Sequence, residues 1–171
     1  MSEETIINKV AESGLVTLNL ESYMPNEAEV VSFDLKSFLF MELILKEKEF
    51  RQALKQLDIS IYQNKIVAIH CSTDAIIPMW AYMLASSTLQ PIAKQLVFGN
   101  TDEAIHKILL ENIGKIDADT FKDQRIVVKG CGEKLIPAEA YLEITNKLMP
   151  VAKTIMFGEP CSTVPVYKRP S

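Results

Sequence analysis

The chain has 171 residues, 48% of them hydrophobic and 23% charged, with a formal charge of −4. That length suits one continuous core, and the apolar content excludes a disordered chain. A net negative charge without clustered Lys and Arg excludes a general binder of nucleic-acid backbones.

The opening "MSEETIINKVAESG" carries acids where a secretory signal would carry positive charge. No uncharged apolar run approaches the ~20 residues of a membrane span; the greasiest stretch, "SFLFMELIL", is interrupted by Glu42. Three cysteines are an odd number and show no disulfide framework. These features predict a cytoplasmic protein with reduced thiols and no membrane contact. A homo-oligomer is an allowed state.

Next come "GLVTLNLESY" and "EVVSFDL", which alternate like strands, and "KEKEFRQALKQL", an amphipathic helix. With no Gly/Ser linker, they read as an irregular N-terminal α/β extension of a single domain spanning 1–171.

Residues 66–100 then recur as 126–160. Cys71 falls on Cys131 at 131 − 71 = 60, one residue is lost in the turn, and Pro78 falls on Pro137 at 137 − 78 = 59. The register holds through "LQPIAKQLVFGN" and "LMPVAKTIMFGE". Each unit reads β-α-β: "KIVAIHC" and "RIVVKGC" are buried strands, and the helices that follow open on proline. "KQLVFG" and "KTIMFG" are the second strands. Between the units, "TDEAIHKILLENIGKI" forms a helix with Thr101 as N-cap and Ile105, Ile108, Leu109 and Ile113 on one face. Alternation of strand and helix predicts an α/β fold with a doubly wound, mostly parallel sheet built from two repeated β-α-β units. With the strands 65–70, 94–98, 125–130 and 153–157 numbered one to four, the order 2-1-3-4 would make the two cysteine-bearing strands neighbours; a tandem 1-2-3-4 order would separate them.

Ligands of open parallel sheets bind beyond the carboxyl ends of the strands. Cys71 and Cys131 sit at those ends, and Cys161 in "FGEPCSTVP" can fold back over the same edge. With His70 or Glu159 completing the shell, this is a candidate zinc site. Against it, there is no C-x-x-C pair, and cysteines also serve as small apolar fillers. A reactive thiol is the other chemical reading, with Lys134 assisting Cys131 or His70 acting as base. Asp74 and Glu133 align in the repeat, and Ser162 and Thr163 repeat the "CST" of 71–73; these four are candidate ligand-binding residues. Trp80, Tyr82 and Tyr141 fall within helices and read as packing, and His106 as an exposed helix residue.

The stretches "GLVTLNLE", "LILKEKEFR", "DAIIPMWAYML", "KGC" followed by "IPAEAY", and above all "FGEPCSTVPVYK" resemble the domain of unknown function 2480 family of bacterial proteins. The resemblance spans nearly the whole chain. It implies a single-domain bacterial protein and brings no activity or functional residues. Two roles follow from the residues themselves: a strand-end site for a small molecule or a metal ion, or an interaction scaffold whose partner surface lies elsewhere. An enzyme with a nucleophilic cysteine is the third.

Overall fold

The computed structural model describes residues 14–129 and 132–170. The acidic opening segment and Cys131 lie outside the described residues. The elements are β1 (Leu15–Asn19), β2 (Val30–Asp34), α1 (Glu47–Gln56), β3 (Ile66–His70), α2 (Met79–Leu89), β4 (Gln95–Phe98) and α3 (Thr101–Gly114), followed by β5 (Arg125–Lys129), α4 (Ala138–Leu148), β6 (Thr154–Glu159) and β7 (Ser162–Lys168). The fold is mixed α/β with parallel sheets, as the alternation of strand and helix requires.

Two sheets form in place of one. The first runs β2-β3-β4, all parallel; the second runs β1-β5-β6-β7, parallel except for the closing β6–β7 hairpin. The chain divides accordingly into two compact units, Pro25–Ile108 and the remainder on either side of it. This corrects the 2-1-3-4 order: β3 and β5 are not neighbours. The physical reason is that each finds its second partner in the N-terminal segment. β2 pairs with β3 from Val30↔Ile66 to Asp34↔His70, and β1 with β5 from Leu15↔Arg125 to Asn19↔Lys129. The N-terminal region therefore supplies an edge strand to each sheet.

The duplication is larger than the β-α-β repeat. Phe50 and Leu54 of α1 match Leu109 and Ile113 of α3, at 109 − 50 = 59 and 113 − 54 = 59, and all four are buried. The same offset relates the matched strands. Asn64 and Asp123, at positive φ of 56° and 59°, turn the chain into β3 and β5. Their backbone N–H groups donate to the carbonyls of Ile92 and Val151, both at 2.9 Å. Asn and Asp suit that left-handed conformation because their short polar side chains tolerate it. Since the offset is 59 before, within and after the strands, no residue is lost in the turn. By number alone, the offset sets Cys71 against position 130 and Ser72 against Cys131.

The N-terminal strands are copies as well, 15 residues apart. "LVTLNLESY" and "VVSFDLKSF" each end in an Asx residue whose side chain accepts from the backbone N–H two residues on, Asn19 from Glu21 at 3.1 Å and Asp34 from Lys36 at 2.9 Å. A single 3-10 turn follows, with Leu20 or Leu35 fully buried. One copy thus lies wholly inside the other along the chain.

In the inner unit, Phe33, Val67 and Ile69 pack with α1 and α2 on one face of the sheet. On the other face Ile66, Ala68 and Val97 pack with Ala104 and Ile108 of α3. Both faces of this parallel sheet are covered, which is why β3 reads as an unbroken apolar run. In the outer unit Leu18, Ile126, Val128 and Ile155 pack with Leu109 and Ile113 of α3 and with Ala140, Ile144 and Leu148 of α4. The apolar face expected of the α3 helix is therefore two stripes, Ala104/Ile108 and Leu109/Ile113, one for each core. Its N-cap is Asn100, one residue earlier than Thr101: Asn100 Oδ1 accepts from Glu103 N–H at 3.0 Å, and Glu103 Oε2 accepts from Asn100 N–H at 2.8 Å.

Matched burial predicts matched cost. Phe50→Ala is expected to lose about 3–5 kcal/mol and Leu109→Ala about 2–5 kcal/mol. Arg51→Ala, which breaks only an exposed ion pair with Glu47, should lose little. Urea titrations followed by circular dichroism check all three.

Candidate functional site

The carboxyl ends of the inner sheet open into a cleft of about 490 Å³ lined by His70, Cys71, Ser72, Thr73, Tyr82, Phe98, Gly99, Asn100 and Glu103. This is where a parallel sheet presents its loops. β3 ends at His70, held in register with Asp34 of β2. His70 Nε2 lies 2.8 Å from Ser32 Oγ, a neighbour on the same face of β2. Asp34 fastens the following loop: Oδ1 accepts from the backbone N–H of Ser72 at 3.0 Å, and Oδ2 accepts from Ser72 Oγ at 2.5 Å. Burial pushes the Asp34 carboxyl up, but hydrogen bonds from Ser72 and the Lys36 N–H, together with nearby His70, outweigh it and hold the group below its ordinary value.

The far wall comes from α2 and the end of β4. Tyr82 meets Phe98 edge to face, with centroids 5.5 Å apart. Burial raises the Tyr82 phenol, and Cys71 nearby raises it further. Lys107 Nζ donates to the Phe98 carbonyl at 2.5 Å and sits 5.3 Å from the ring centroid. Gly99, at φ 126°, bends the chain from β4 into the α3 cap; a Cβ there would meet Glu103 Oε2 at 2.6 Å. Only glycine fits that turn.

The matched positions in the outer unit carry different side chains. Tyr141 and Phe157 keep the edge-to-face contact at 5.6 Å, and Gly158 keeps a positive φ of 122°. At the positions of His70 and Asn100, however, stand Lys129 and Glu159, which form an ion pair at 3.4 Å. Glu159 is thus engaged by a lysine. Glu21 steadies the loop here, accepting from the Lys134 N–H at 2.9 Å.

Of the residues singled out in the sequence, His70 and Cys71 meet in the inner cleft. Cys71 is half-buried, and Asp74 is exposed in the loop ahead of α2, outside the cleft walls. Glu133, Glu159, Cys161, Ser162 and Thr163 all belong to the outer unit. Cys161 is exposed in the turn between β6 and β7, and "STVPVYK" is strand β7, with Ser162 opposite Glu159 and Thr163 opposite Gly158. The segment after β6 therefore builds a hairpin and does not fold back over a strand end. Among the described residues no group of three or more His, Cys, Asp or Glu side chains could hold a metal ion, and no cysteine cluster forms. Trp80 packs against the inner core beside Phe50, as its helix position predicts.

Ser32, Asp34, Phe98, Asn100 and Glu103 carry no role in the sequence reading, and Tyr82 appears there only as packing. Two signals mark some of them: "NTDE" has the spacing of a capping box, and "SFDLKSF" is a copy of "TLNLESY" whose polar positions differ.

These features define a duplicated parallel α/β protein with one open and one ion-paired strand end. The chain belongs to the family described as protein of unknown function (DUF2480), which matches residues 4–169. No curated protein and no solved structure matches it. Among the described residues no helix is long and apolar enough to cross a membrane.

Because the folded pKa of Asp34 is depressed, its contribution is complete above the ordinary carboxylate range and is lost as pH falls through the folded value. Asp34→Ala is expected to destabilise by about 1–2 kcal/mol at pH 7. The gap to the parent should narrow at pH 3, measured by urea melts at both values.

Proposed function

We propose that the protein binds a small polar molecule in the strand-end cleft of its inner unit. The observation that carries this reading is the contrast between matched positions. The outer unit neutralises Lys129 with Glu159, while the inner unit places His70 and Asn100 there, beside a thiol, two hydroxyl residues and an aromatic wall. The volume is within the ~300–1,000 Å³ of ordinary small-molecule sites, and a few polar groups against an aromatic wall are what such sites use for orientation. His70 serves as the central polar contact, with Ser32 fixing its ring. Ser72 and Thr73 present hydroxyls from a loop that Asp34 pins in place.

A panel of nucleosides, amino acids and sugar derivatives, screened by thermal shift, tests this with iodoacetamide alkylation of Cys71 as the local reporter. A binder is expected to slow Cys71 alkylation and to lose at least about tenfold in affinity in His70→Ala, about 1.4 kcal/mol. A compound that binds with neither effect counts against the cleft. Zinc is the alternative occupant suggested by the cysteines. Stoichiometric zinc in protein purified without chelator, lost in Cys71→Ser, would put a metal-ligand role in place of the organic one. Very fast alkylation of Cys71 alone would point to a reactive thiol.

A further inference from the structure

The outer unit carries a second cavity that shares no residue with the cleft. It is a groove of about 490 Å³ between α4 and strands β6 and β7, walled by Tyr141, Leu142, Phe157 and Val166, with Thr145 and Asn146 as its polar residues. The duplication supplies an internal control. The same frame in the inner unit, with Tyr82, Ser86 and Phe98 at the matched positions, leaves only about 100 Å³. The two differ by β7: β4 is the edge of its sheet, whereas β6 is followed by an antiparallel strand that carries Val166 into the groove.

We infer that this groove binds a neutral, largely apolar small molecule bearing a single terminal hydroxyl or amide. No Lys, Arg, His, Asp or Glu side chain lines it, so a charged ligand would lose hydration with nothing to replace it. A peptide fits poorly for the same reason, since its backbone N–H and C=O groups would face apolar walls. Thr145 Oγ1 already donates to the Tyr141 carbonyl at 2.6 Å, which leaves its lone pairs for a donor on the ligand. The Asn146 side chain offers a carbonyl and an amide to the same end of the molecule. The aromatic wall is rigid, because Tyr141 and Phe157 brace each other edge to face.

The test uses the full chain and the neutral fluorophore N-phenyl-1-naphthylamine. Saturable enhancement with one site per chain is expected, displaced by 1-decanol at least about tenfold more strongly than by sodium decanoate. Leu142→Arg, at an exposed rim position, should weaken fluorophore binding by at least about tenfold. Met83→Arg, its equally exposed counterpart in the inner unit, should leave binding unchanged. If circular dichroism shows Leu142→Arg misfolded, Val166→Arg, also exposed, takes its place. Absence of saturable binding, binding that survives the rim arginine, or equal loss in Met83→Arg would each overturn the assignment. So would decanoate competing as well as decanol.

Discussion

A strand buried on both faces has only its two edges through which to satisfy its backbone, and this structure depends on how that constraint is met. Val67, Ala68, Ile126 and Val127 are fully buried, so no water reaches β3 or β5 to replace a missing ladder. A β-α-β unit provides one neighbour, β4 or β6. The other comes from short copied segments near the start of the chain, β2 and β1. An unpaired buried N–H or C=O costs as much as a lost hydrogen bond several times over along a five-residue strand. Without those segments neither half would be a stable sheet.

The β-α-β units, the helix bounded by Asn100 and the amphipathic α1 were legible because each has a strong local signal: β-branched runs, proline openings and helical spacing of apolar residues. Sheet order was not, since pairing partners are chosen by edges and periodicity reports only faces. The extended duplication is hidden in the sequence for a related reason. α1 and α3 share Phe50/Leu109 and Leu54/Ile113 in the core but differ almost everywhere on the surface, where nothing constrains them. Cys71 and Cys131 stand 60 apart where the strands stand 59 apart, so matching the two cysteines opens a gap that the strands do not have.

The site was partly readable. Position at the carboxyl end of a parallel strand set His70 and Cys71 together, and both line the inner cleft, since that placement follows from connectivity alone. The convergence of all the cysteines depended on a sheet order that does not occur, and Cys161 belongs to a hairpin turn. Ser32 comes from β2, and Asn100 and Glu103 from the start of α3, and only the fold brings these two parts of the chain to the end of β3. Duplication also explains how the two strand ends could diverge. One strand end carries the Lys129–Glu159 ion pair, and the other sets His70 against Ser32 and Asn100 against Glu103.

Nesting one copy inside the other has a consequence for the order in which the protein is made. The inner unit closes contacts such as Val30↔Ile66, 36 residues apart, while the outer unit must bring Leu15 to Arg125 across 110. On a ribosome the inner sheet has all three strands once Phe98 has emerged. β1, synthesised before any of them, waits without a partner until β5 appears. Folding rates fall as contacts lengthen in sequence, and loop closure grows costlier with span. A preformed inner unit shortens that span in effect, because it replaces a flexible loop of more than eighty residues (Pro25–Ile108) with a compact body. β1, made before the inner strands, is then among the last to dock, and the completed inner unit is what makes that late pairing affordable.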